Sequence, residues 1–316
     1  MWQNKQSELL RGEMETLLDS LSDFAYLSEF INESLAKSRG LSIETEKDRL
    51  WRLLPIIVCE AISGNYKRAM PAAAAIQLFK AAAEVFDDIE DADSSDSLFA
   101  KYGLPIAVNT ATLLLILAEK AITRLKKTGV ADGMIVSIMD KINSYYIQAC
   151  TGQHLDIYLS PSMKISEDTY LRVAAMKSAS QVECACYIGA LLSMANQNLI
   201  NLLSSFGHNL GMASQIANDV QGILQGKDII KRRITLPMIY ALTETESKIT
   251  ESLKSAFFKR SEDISNPGQV RDILFNVGAI QYATIKMELY KQRALDTLLK
   301  AEEERVNISR LMLFFK

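Results

Sequence analysis

The segment that most constrains the fold is an apolar helix pattern that ends in a row of carboxylates. Residues 79–93 read FKAAAEVFDDIEDAD, without glycine or proline. Asp87 and Asp91 are four residues apart, so on a helix their side chains lie one above the other, with Asp88 beside them. Carboxylates stacked in this way repel each other unless a cation lies between them. Because the residues before them predict a buried helix, a Mg²⁺ site is a better interpretation than a solvated acidic helix end.

The composition favours helices along the whole chain. The chain has 316 residues, of which 48% are hydrophobic, with only 14 glycines and 6 prolines. No alternating polar and apolar run is long enough to require a sheet, and no linker or repeat interrupts the chain. We therefore expect one all-α domain, residues 1–316, of roughly ten or more helices.

Charge and cysteine spacing argue against several other classes of protein. The formal net charge is −3 and the pI is about 5.6, so nucleic acid is not an expected partner. The four cysteines lack the paired spacing of a zinc site, which predicts a reduced, cytoplasmic protein. The N-terminus has no signal-peptide core, and the apolar runs stop short of about twenty residues, so we expect no transmembrane segment.

A second polar cluster lies within a later apolar helix pattern, residues 198–224. Gln215, Asn218 and Gly222 fall on one stripe of this helix, and Asp219 adjoins them. Polar groups in such a place are costly unless they bind something. The basic residues of the loop that follows are Lys227, Lys231, Arg232 and Arg233. A carboxylate helix next to a basic loop suits a metal–diphosphate ligand, because cations bridge acid to phosphate and Lys or Arg neutralises the remaining charge.

The order of these motifs resembles that of the trans-isoprenyl diphosphate synthase (polyprenyl synthetase) superfamily. The resemblance covers most of the chain from Gly64 onward. It includes the family's two aspartate-rich motifs, its Gly-Gln-x-x-Asp and Lys-Thr elements and its closing Gly-Lys-x-Thr-Leu-Pro element. In chain order these elements stand at residues 87–91, 152–156, 177–178, 214–222 and 232–237. Each motif alone is a weak signal, whereas five in the same order are a strong one.

The resemblance implies an isoprenoid synthase (class I terpenoid synthase) fold, a helical bundle with a central apolar cavity, and a homodimer. It implies that Mg²⁺, as three ions with the diphosphate, is held by Asp87, Asp91 and Asp219. The implied catalytic residues are Asp87, Asp88, Asp91, Asp219 and Lys177. The implied substrate-binding residues are Lys67, Arg68, Lys80, Lys101, Gln153, Asp156, Gln215, Asn218, Lys227 and Arg233.

Three alanines precede the first aspartate by about a turn, where the family places bulky residues that stop a growing isoprenoid. They are Ala81, Ala82 and Ala83. Small side chains there predict a deep apolar pocket for an allylic diphosphate such as geranyl or farnesyl diphosphate. Packing against another helix is an equally physical reason for alanines at these positions.

Most departures from the family pattern fall on the side that holds isopentenyl diphosphate, the acceptor in chain elongation, although the second aspartate-rich motif has also lost its first carboxylate to Asn218 and its last to Gly222. The family's Gly-Gly-Lys-Arg-x-Arg-Pro element stands here as residues 65–71, with Met70 in place of its second arginine. Lys80 stands in place of a family histidine, and Lys101-Tyr102 in place of an arginine pair. Lysine supplies charge but lacks the planar fork with which arginine grips phosphate.

The residues that ionise an allylic diphosphate are thus kept better than those that bind the usual acceptor. This favours a prenyltransferase like the ComQ-type group, which prenylates a tryptophan of a quorum-sensing pheromone precursor peptide. A class I terpene synthase is an alternative, because its metal motif is matched by Asn218, Asp219 and Gly222, although Gly226 replaces its glutamate. A chain-elongating synthase and a non-catalytic partner subunit are further alternatives.

Overall fold

The computed structural model describes residues 2–21, 23, 25–37, 46–91, 96–159, 165–244, 247–258 and 267–315. These residues contain helices, turns and no strand, which confirms the all-α prediction. Contacts between Cα atoms divide the chain into two compact units. The first comprises Met1–Ile142, Ala185–Asn201 and Ala301–Lys316, and the second Asn143–Cys184 and Leu202–Lys300. The number of domains stays a prediction.

The α-helices follow one another with short connections. The first seven are α1 (Trp2–Leu18), α2 (Ala25–Lys37), α3 (Glu46–Ser63), α4 (Met70–Asp91), α5 (Leu98–Tyr102), α6 (Leu104–Thr123) and α7 (Asp132–Tyr158). The next four are α8 (Glu167–Ala174), α9 (Ser180–Leu192), α10 (Gln197–Leu224) and α11 (Lys227–Ile230). The last four are α12 (Leu236–Thr243), α13 (Ser247–Phe258), α14 (Pro267–Asn276) and α15 (Ala279–Glu303). The 3₁₀ turns are Asp19–Leu21, Lys67–Ala69, Arg124–Thr128 and Ile308–Phe315, and a π-helical turn, Ala175–Ala179, joins α8 to α9.

Helix α4 is the buried helix predicted ahead of the first aspartates. Its second residue is Pro71, which is tolerated there because the first-turn N–H groups have no partner within the helix. Among the described elements, α4 packs most extensively against α6. Both helices bury small residues, which allow their backbones to approach closely. These residues are Ala72, Ala73, Ala74, Ala75, Ala81 and Ala82 on α4 and Ala107, Ala111, Ala118 and Ala121 on α6.

The two ends of the chain meet on α3 in the first unit. The backbone N–H of Asn307 donates to the carbonyl oxygen of Ala61 at 2.9 Å, and Arg310 Nη1 donates to Glu60 Oε2 at 2.8 Å. The same guanidinium lies 4.0 Å from the ring centroid of Trp2. These contacts attach the C-terminal 3₁₀ turn and the first helix to one side of α3.

Two helical stretches in the described residues are long and apolar enough to span a membrane, by length and composition only. They are Lys67–Glu90 and Leu104–Thr128, in which 78% and 44% of the most apolar window is buried. Core helices of globular proteins pass the same test. The absence of a transmembrane segment therefore stays a prediction.

In the second unit, the long helix α15 is attached to α8 by a charged cluster. Ser166 caps α8, because its Oγ accepts a hydrogen bond from the N–H of Thr169 at 3.2 Å. Glu167 then accepts from Tyr282 Oη at 2.5 Å and lies 2.7 Å from Lys286 Nζ. This places α8 firmly beside α15, and α8 leads into the π-helical turn.

Candidate active site

The first acidic cluster lies at the C-terminal end of α4, as predicted. Asp87 and Asp88 have partly buried side chains. Asp91 is the last residue of the helix, and its side chain lies outside the described residues, as do residues 92–95. Because the helix continues without a break to residue 91, positions 87 and 91 share one face.

The basic residues ahead of this cluster lie at two places, in the 3₁₀ turn before α4 and within α4 itself. Lys67 is exposed and Arg68 partly buried in the 3₁₀ turn before α4. Lys80 lies 3.4 Å from Glu84, one turn further along the same helix. An ion pair of this kind on a helix surface contributes only a few tenths of a kcal/mol, about 0.3–0.5.

Glu33 of α2 binds both residues that replace the family's arginine pair. Lys101 Nζ donates to Glu33 Oε1 at 2.7 Å, and Tyr102 Oη donates to Glu33 Oε2 at 3.3 Å. The Tyr102 ring also packs edge-to-face on Phe30, with ring centroids 4.8 Å apart. The hydrogen bond to Glu33 raises the pKa of Lys101. The charge of Lys101 is therefore balanced within the protein.

A cleft beside this pair is strongly acidic. Its carboxylates are Glu33, Glu84, Asp88 and Asp96. Apolar contacts from Ala81, Val85 and Leu98 complete its walls. Carboxylates lining a narrow cleft focus a negative potential, which repels an anionic ligand such as a second diphosphate.

Of the alanines before Asp87, Ala82 is fully buried and Ala83 is exposed. Ala82 is therefore small because it packs against its neighbours, which enclose its methyl group, and not because it lines a pocket. Ala83 has an open face, so the predicted apolar pocket at this end of α4 can involve its side chain but not that of Ala82.

The second polar cluster is built around Asp219 of α10, which is only 7% exposed, whereas Asn218 is exposed. Tyr170 Oη donates to Asp219 Oδ2 at 2.6 Å, and Gln215 Nε2 donates to Asp219 Oδ1 at 2.7 Å. Burial raises the pKa of Asp219 to about 7, with the two hydrogen bonds opposing the rise and nearby Asp228 adding to it. The helix predicted over residues 198–224 begins one residue earlier, at Gln197.

The same network reaches the π-helical turn, which carries the predicted Lys177. Ser178 Oγ donates to Gln215 Oε1 at 2.5 Å, and Lys177 Nζ donates to Asp156 Oδ2 at 2.8 Å. The structure therefore brings together residues of three predicted motifs: the Gly-Gln-x-x-Asp element, the Lys-Thr element and the second aspartate-rich motif. Gln153, from the first of these, is partly buried on α7.

Two glycines allow the π-helical turn to sit between α7 and α10. A Cβ on residue 152 would lie 2.8 Å from the carbonyl carbon of Met176 and closer still to the backbone nitrogen of Lys177. A Cβ on residue 211 would lie 2.7 Å from Ala179 Cα. Real Cβ atoms do not approach backbone this closely, so any larger residue at either glycine would displace the turn.

Sequence reasoning missed Asp228. Gly226, at φ +77°, lies two residues beyond the end of α10 and immediately before the one-turn helix α11, which brings Asp228 back against Gly222. A Cβ on residue 222 would overlap Oδ2 of Asp228 and lie 3.0 Å from its Oδ1. The carboxylate that the second motif lacks at position 222 is thus supplied by Asp228 from the next helix. The acidic residue two positions after Gly226 was the feature of the sequence that could have indicated this.

The segment predicted as a basic loop is in part the one-turn helix α11, and its charged side chains affect the Asp228 carboxylate. Lys227 and Arg233 are exposed. Burial raises the pKa of Asp228, and the charges of Arg233 and Lys227 oppose the rise. Lys227 and Arg233 therefore lie close enough to the carboxylates of the second cluster to bind an anion that a cation draws there.

The donors in the second cluster fit a hard divalent cation. Mg²⁺ is usually held by one or two carboxylates and completes its shell with water and substrate phosphates. Asp219 and Asp228 supply two carboxylates, and the missing side chain at Gly222 leaves room for the second. Among the side chains that the structure describes, no three of His, Cys, Asp or Glu are grouped to hold an ion by themselves. The number of ions stays a prediction.

Comparisons with known proteins agree with the motifs. A family model for polyprenyl synthetase matches residues 46–274. A geranylgeranyl diphosphate synthase of Sulfolobus acidocaldarius is 30% identical over 267 residues, which cover 79% of this chain and 79% of that protein. A tryptophan prenyltransferase ComQ of Bacillus subtilis subsp. natto is 26% identical over 309 residues, which cover 94% of each.

The fold is also shared with solved structures. The crystal structure of a polyprenyl synthase from Caulobacter crescentus CB15, complexed with calcium and isoprenyl diphosphate, matches with a TM-score of 0.74. It is 18% identical, and the match covers 91% of this chain and 92% of that one. The likeness confirms the predicted all-α isoprenoid synthase fold.

Proposed function

Because the chain belongs to the polyprenyl synthetase family, we propose that it is a Mg²⁺-dependent prenyltransferase that transfers an allylic prenyl group to an acceptor other than isopentenyl diphosphate. The donor in this proposal is geranyl or farnesyl diphosphate. The proposed acceptor is a tryptophan of a pheromone precursor peptide, and it is supported by the match to a tryptophan prenyltransferase along 94% of the chain.

The observation that carries the proposal is the pairing of Lys101 with Glu33 at 2.7 Å. The resemblance assigns the position of Lys101 to the diphosphate of isopentenyl diphosphate. Here that lysine is paired with a carboxylate, and Tyr102 beside it carries no charge, so neither position supplies the charged fork of an arginine. Four acids line the adjacent cleft. A neutral or cationic acceptor suits such a surface better than a second diphosphate does.

The donor half of the proposal uses residues of both aspartate-rich motifs. Mg²⁺, when bound, supplies electrophilic stabilisation of the departing diphosphate. Asp87 and Asp91 would bind Mg²⁺ at the first motif, and Asp219 would bind it at the second. Lys177 also pairs with a carboxylate, that of Asp156 at 2.8 Å, but an ammonium group has three donors, so it would still neutralise charge that develops on the leaving group. The bond between the allylic carbon and the diphosphate oxygen breaks, and its electron pair leaves with the diphosphate. The allylic carbon then bonds to the indole of the acceptor tryptophan, which supplies the electron pair of the new bond and releases a proton.

Chain elongation is the second candidate, and two observations favour it. A geranylgeranyl diphosphate synthase is 30% identical to this chain over 79% of its length. Lys67 and Arg68, which the resemblance assigns to the acceptor diphosphate, are also kept. This candidate requires that these two residues bind isopentenyl diphosphate without the arginine pair.

The deciding experiment is incubation with Mg²⁺ and geranyl or farnesyl diphosphate, followed by mass analysis of the products. Each reaction is run alone, with isopentenyl diphosphate, and with a tryptophan-containing peptide. We expect a prenylated peptide, with pyrophosphate released in proportion. Longer diphosphates formed only with isopentenyl diphosphate would establish chain elongation. A hydrocarbon or terpene alcohol formed without any acceptor would establish a terpene synthase.

We expect phenylalanine at position 83 to shorten the isoprenoid that the enzyme accepts. The exposed face of Ala83 has room for the ring, which would shorten an adjoining pocket. The matched variant Ala82→Phe forces a ring into a fully packed site and should instead destabilise the protein by about 1–3 kcal/mol. The measurement is the ratio of rates with geranyl and farnesyl diphosphate, beside the melting temperature. An unchanged ratio in Ala83→Phe would contradict the pocket.

The proposal also includes a cytoplasmic homodimer. Exposed apolar side chains along one row of α6 support the dimer. They are Leu104, Val108 and Ile116, which lie four and eight residues apart with the exposed Thr112 between the last two, and Ile116 is 60% exposed. An exposed apolar row of this kind on one helix is typical of a protein–protein contact. Light scattering on the purified protein measures the mass directly, and a monomer would contradict this part of the proposal.

A further inference from the structure

The carboxylate of Asp219 is held at both oxygens by side chains that are themselves buried or partly buried. Tyr170, 8% exposed, donates to Oδ2 at 2.6 Å, and Gln215 donates to Oδ1 at 2.7 Å. A carboxylate oxygen has two lone pairs, so each oxygen keeps one acceptor site for a cation. The two donors therefore orient the carboxylate without exhausting its capacity to bind metal.

Gln215 and Tyr170 restrain the Asp219 carboxylate in different ways. Gln215 lies one turn before Asp219 on α10, so its amide moves with the helix that carries the carboxylate. Tyr170 comes from α8 and connects Asp219 to a separate element. Its ring packs in a cluster with Met212 and Ile216, which restricts the position of the hydroxyl. The bond from Tyr170 therefore fixes Asp219 directly relative to the segment that carries Lys177.

A second bond supports the first from the same segment. Ser178 Oγ donates to Gln215 Oε1 at 2.5 Å, which orients the amide so that its nitrogen faces Asp219. Tyr170 and Ser178 flank Lys177 on the continuous helical stretch formed by α8, the π-helical turn and α9. One stretch of chain therefore positions both the lysine and the carboxylate.

We propose that Tyr170 is a positioning residue that holds Asp219 in its metal-binding orientation, in register with Lys177. The inference rests on the proposed function, because it takes Asp219 to be a metal ligand. Hydrogen-bond donors behind a metal ligand usually change metal affinity about 10–100-fold when removed. Tyr170 has this relation to Asp219, and neither the motifs nor the spacing of the chain assigns it a role.

The test is the Tyr170→Phe substitution, which keeps the ring and removes the hydroxyl. Binding of Mn²⁺ is titrated by electron paramagnetic resonance in the presence of inorganic pyrophosphate. We expect Mn²⁺ to bind about 10-fold more weakly or worse than to the wild type. Ser178→Ala, which frees the amide of Gln215 but leaves Tyr170 in place, should give a smaller loss and serves if Tyr170→Phe folds poorly.

The matched control is Tyr282→Phe. It removes another tyrosine–carboxylate bond from the same unit, the 2.5 Å bond to Glu167, while Lys286 still holds Glu167 and with it α8. It should therefore lower the melting temperature without changing Mn²⁺ affinity. If folded Tyr170→Phe and Ser178→Ala bind Mn²⁺ as tightly as the wild type or more tightly, the inference about Tyr170 is wrong, while the proposed function is unaffected. If the wild type binds no Mn²⁺ with pyrophosphate, the metal assignment of the proposed function fails, and the inference fails with it.

Discussion

Asp219→Asn is expected to remove most of the enzymatic activity while stabilising the metal-free protein at neutral and alkaline pH. The substitution keeps the size of the side chain. Asparagine can still accept from Tyr170, and a flip of the Gln215 amide would satisfy its new donor, because Ser178 Oγ can accept as well as donate. The change therefore removes a buried charge with little change in packing.

The stability effect follows from the pKa of Asp219. Burial raises this pKa from an ordinary value of 3.8 to about 7 in the folded protein. The folded state therefore binds the proton more tightly than the unfolded state, and the resulting stabilisation is complete below the ordinary pKa. It is lost as the pH rises from there through the folded-state pKa, because folding must then bury an ionised carboxylate. The whole loss is on the order of 4 kcal/mol, since one pKa unit corresponds to about 1.4 kcal/mol.

The expected loss of activity follows from weaker binding of Mg²⁺. An amide carries no charge, so the asparagine of this variant would bind Mg²⁺ far more weakly than a carboxylate does. We expect the rate of pyrophosphate release to fall on the order of 10³-fold, which corresponds to about 4 kcal/mol of transition-state stabilisation. Activity of Asp219→Asn near the wild-type value would show that Asp219 is not a metal ligand.

Both effects can be measured on one set of proteins. Melting temperatures are recorded from about pH 5 to about pH 8.5 in the presence of a chelator, a range that spans the folded-state pKa. The wild-type value should fall relative to that of Asp219→Asn as the pH rises. Asp272→Asn, an exposed position on α14, is the matched control and should follow the wild type in both assays. If the melting temperatures of the wild type and Asp219→Asn depend on pH in the same way, ionisation of Asp219 does not destabilise the folded protein.

Local sequence patterns were sufficient to predict the elements that carry the site. The apolar run before Asp87 predicted α4, and the stripe of polar residues in a long apolar helix located Asp219 on α10. Both predictions rest on periodicity within one helix, which depends on the near neighbours of each residue. Positions along a single helix follow directly from its fixed rise and turn.

The partners of these residues could not be predicted in the same way. Tyr170 is 49 residues from Asp219, and Glu33 is 68 residues from Lys101. Which side chains meet across two helices depends on crossing angle and register, which the pattern of one helix does not contain. Asp228 could not be assigned for a related reason, because only the close approach of α11 to Gly222 brings its carboxylate to the second motif.

No local pattern in the sequence indicated the π-helical turn at residues 175–179. A π-helical turn costs hydrogen-bond geometry and persists where tertiary contacts impose it. Here those contacts are the close approaches of Gly152 and Gly211. The glycine of the Gly-Gln-x-x-Asp element thus has a physical role, because it lets α7 touch the backbone that carries Lys177.

Gly152→Ala is therefore expected to damage both folding and activity. In an open helix, alanine is more stable than glycine by about 1 kcal/mol. At position 152 the added methyl group meets the backbone of Met176 and Lys177, which cannot rotate away as a flexible side chain could. Overpacking of this kind costs about 1–3 kcal/mol. A shift of the turn by about 1 Å would also displace Lys177 and reduce the rate about 10²-fold.

Gly133→Ala is the matched control, since it makes the same substitution in the same helix. Nothing lies within 4 Å of a Cβ at position 133, so this variant should be as stable as the wild type or slightly more stable, with unchanged activity. The measurements are the melting temperature and the rate of pyrophosphate release for both variants. If Gly152→Ala behaves like Gly133→Ala, the turn tolerates the methyl group, and its close approach to α7 does not position Lys177.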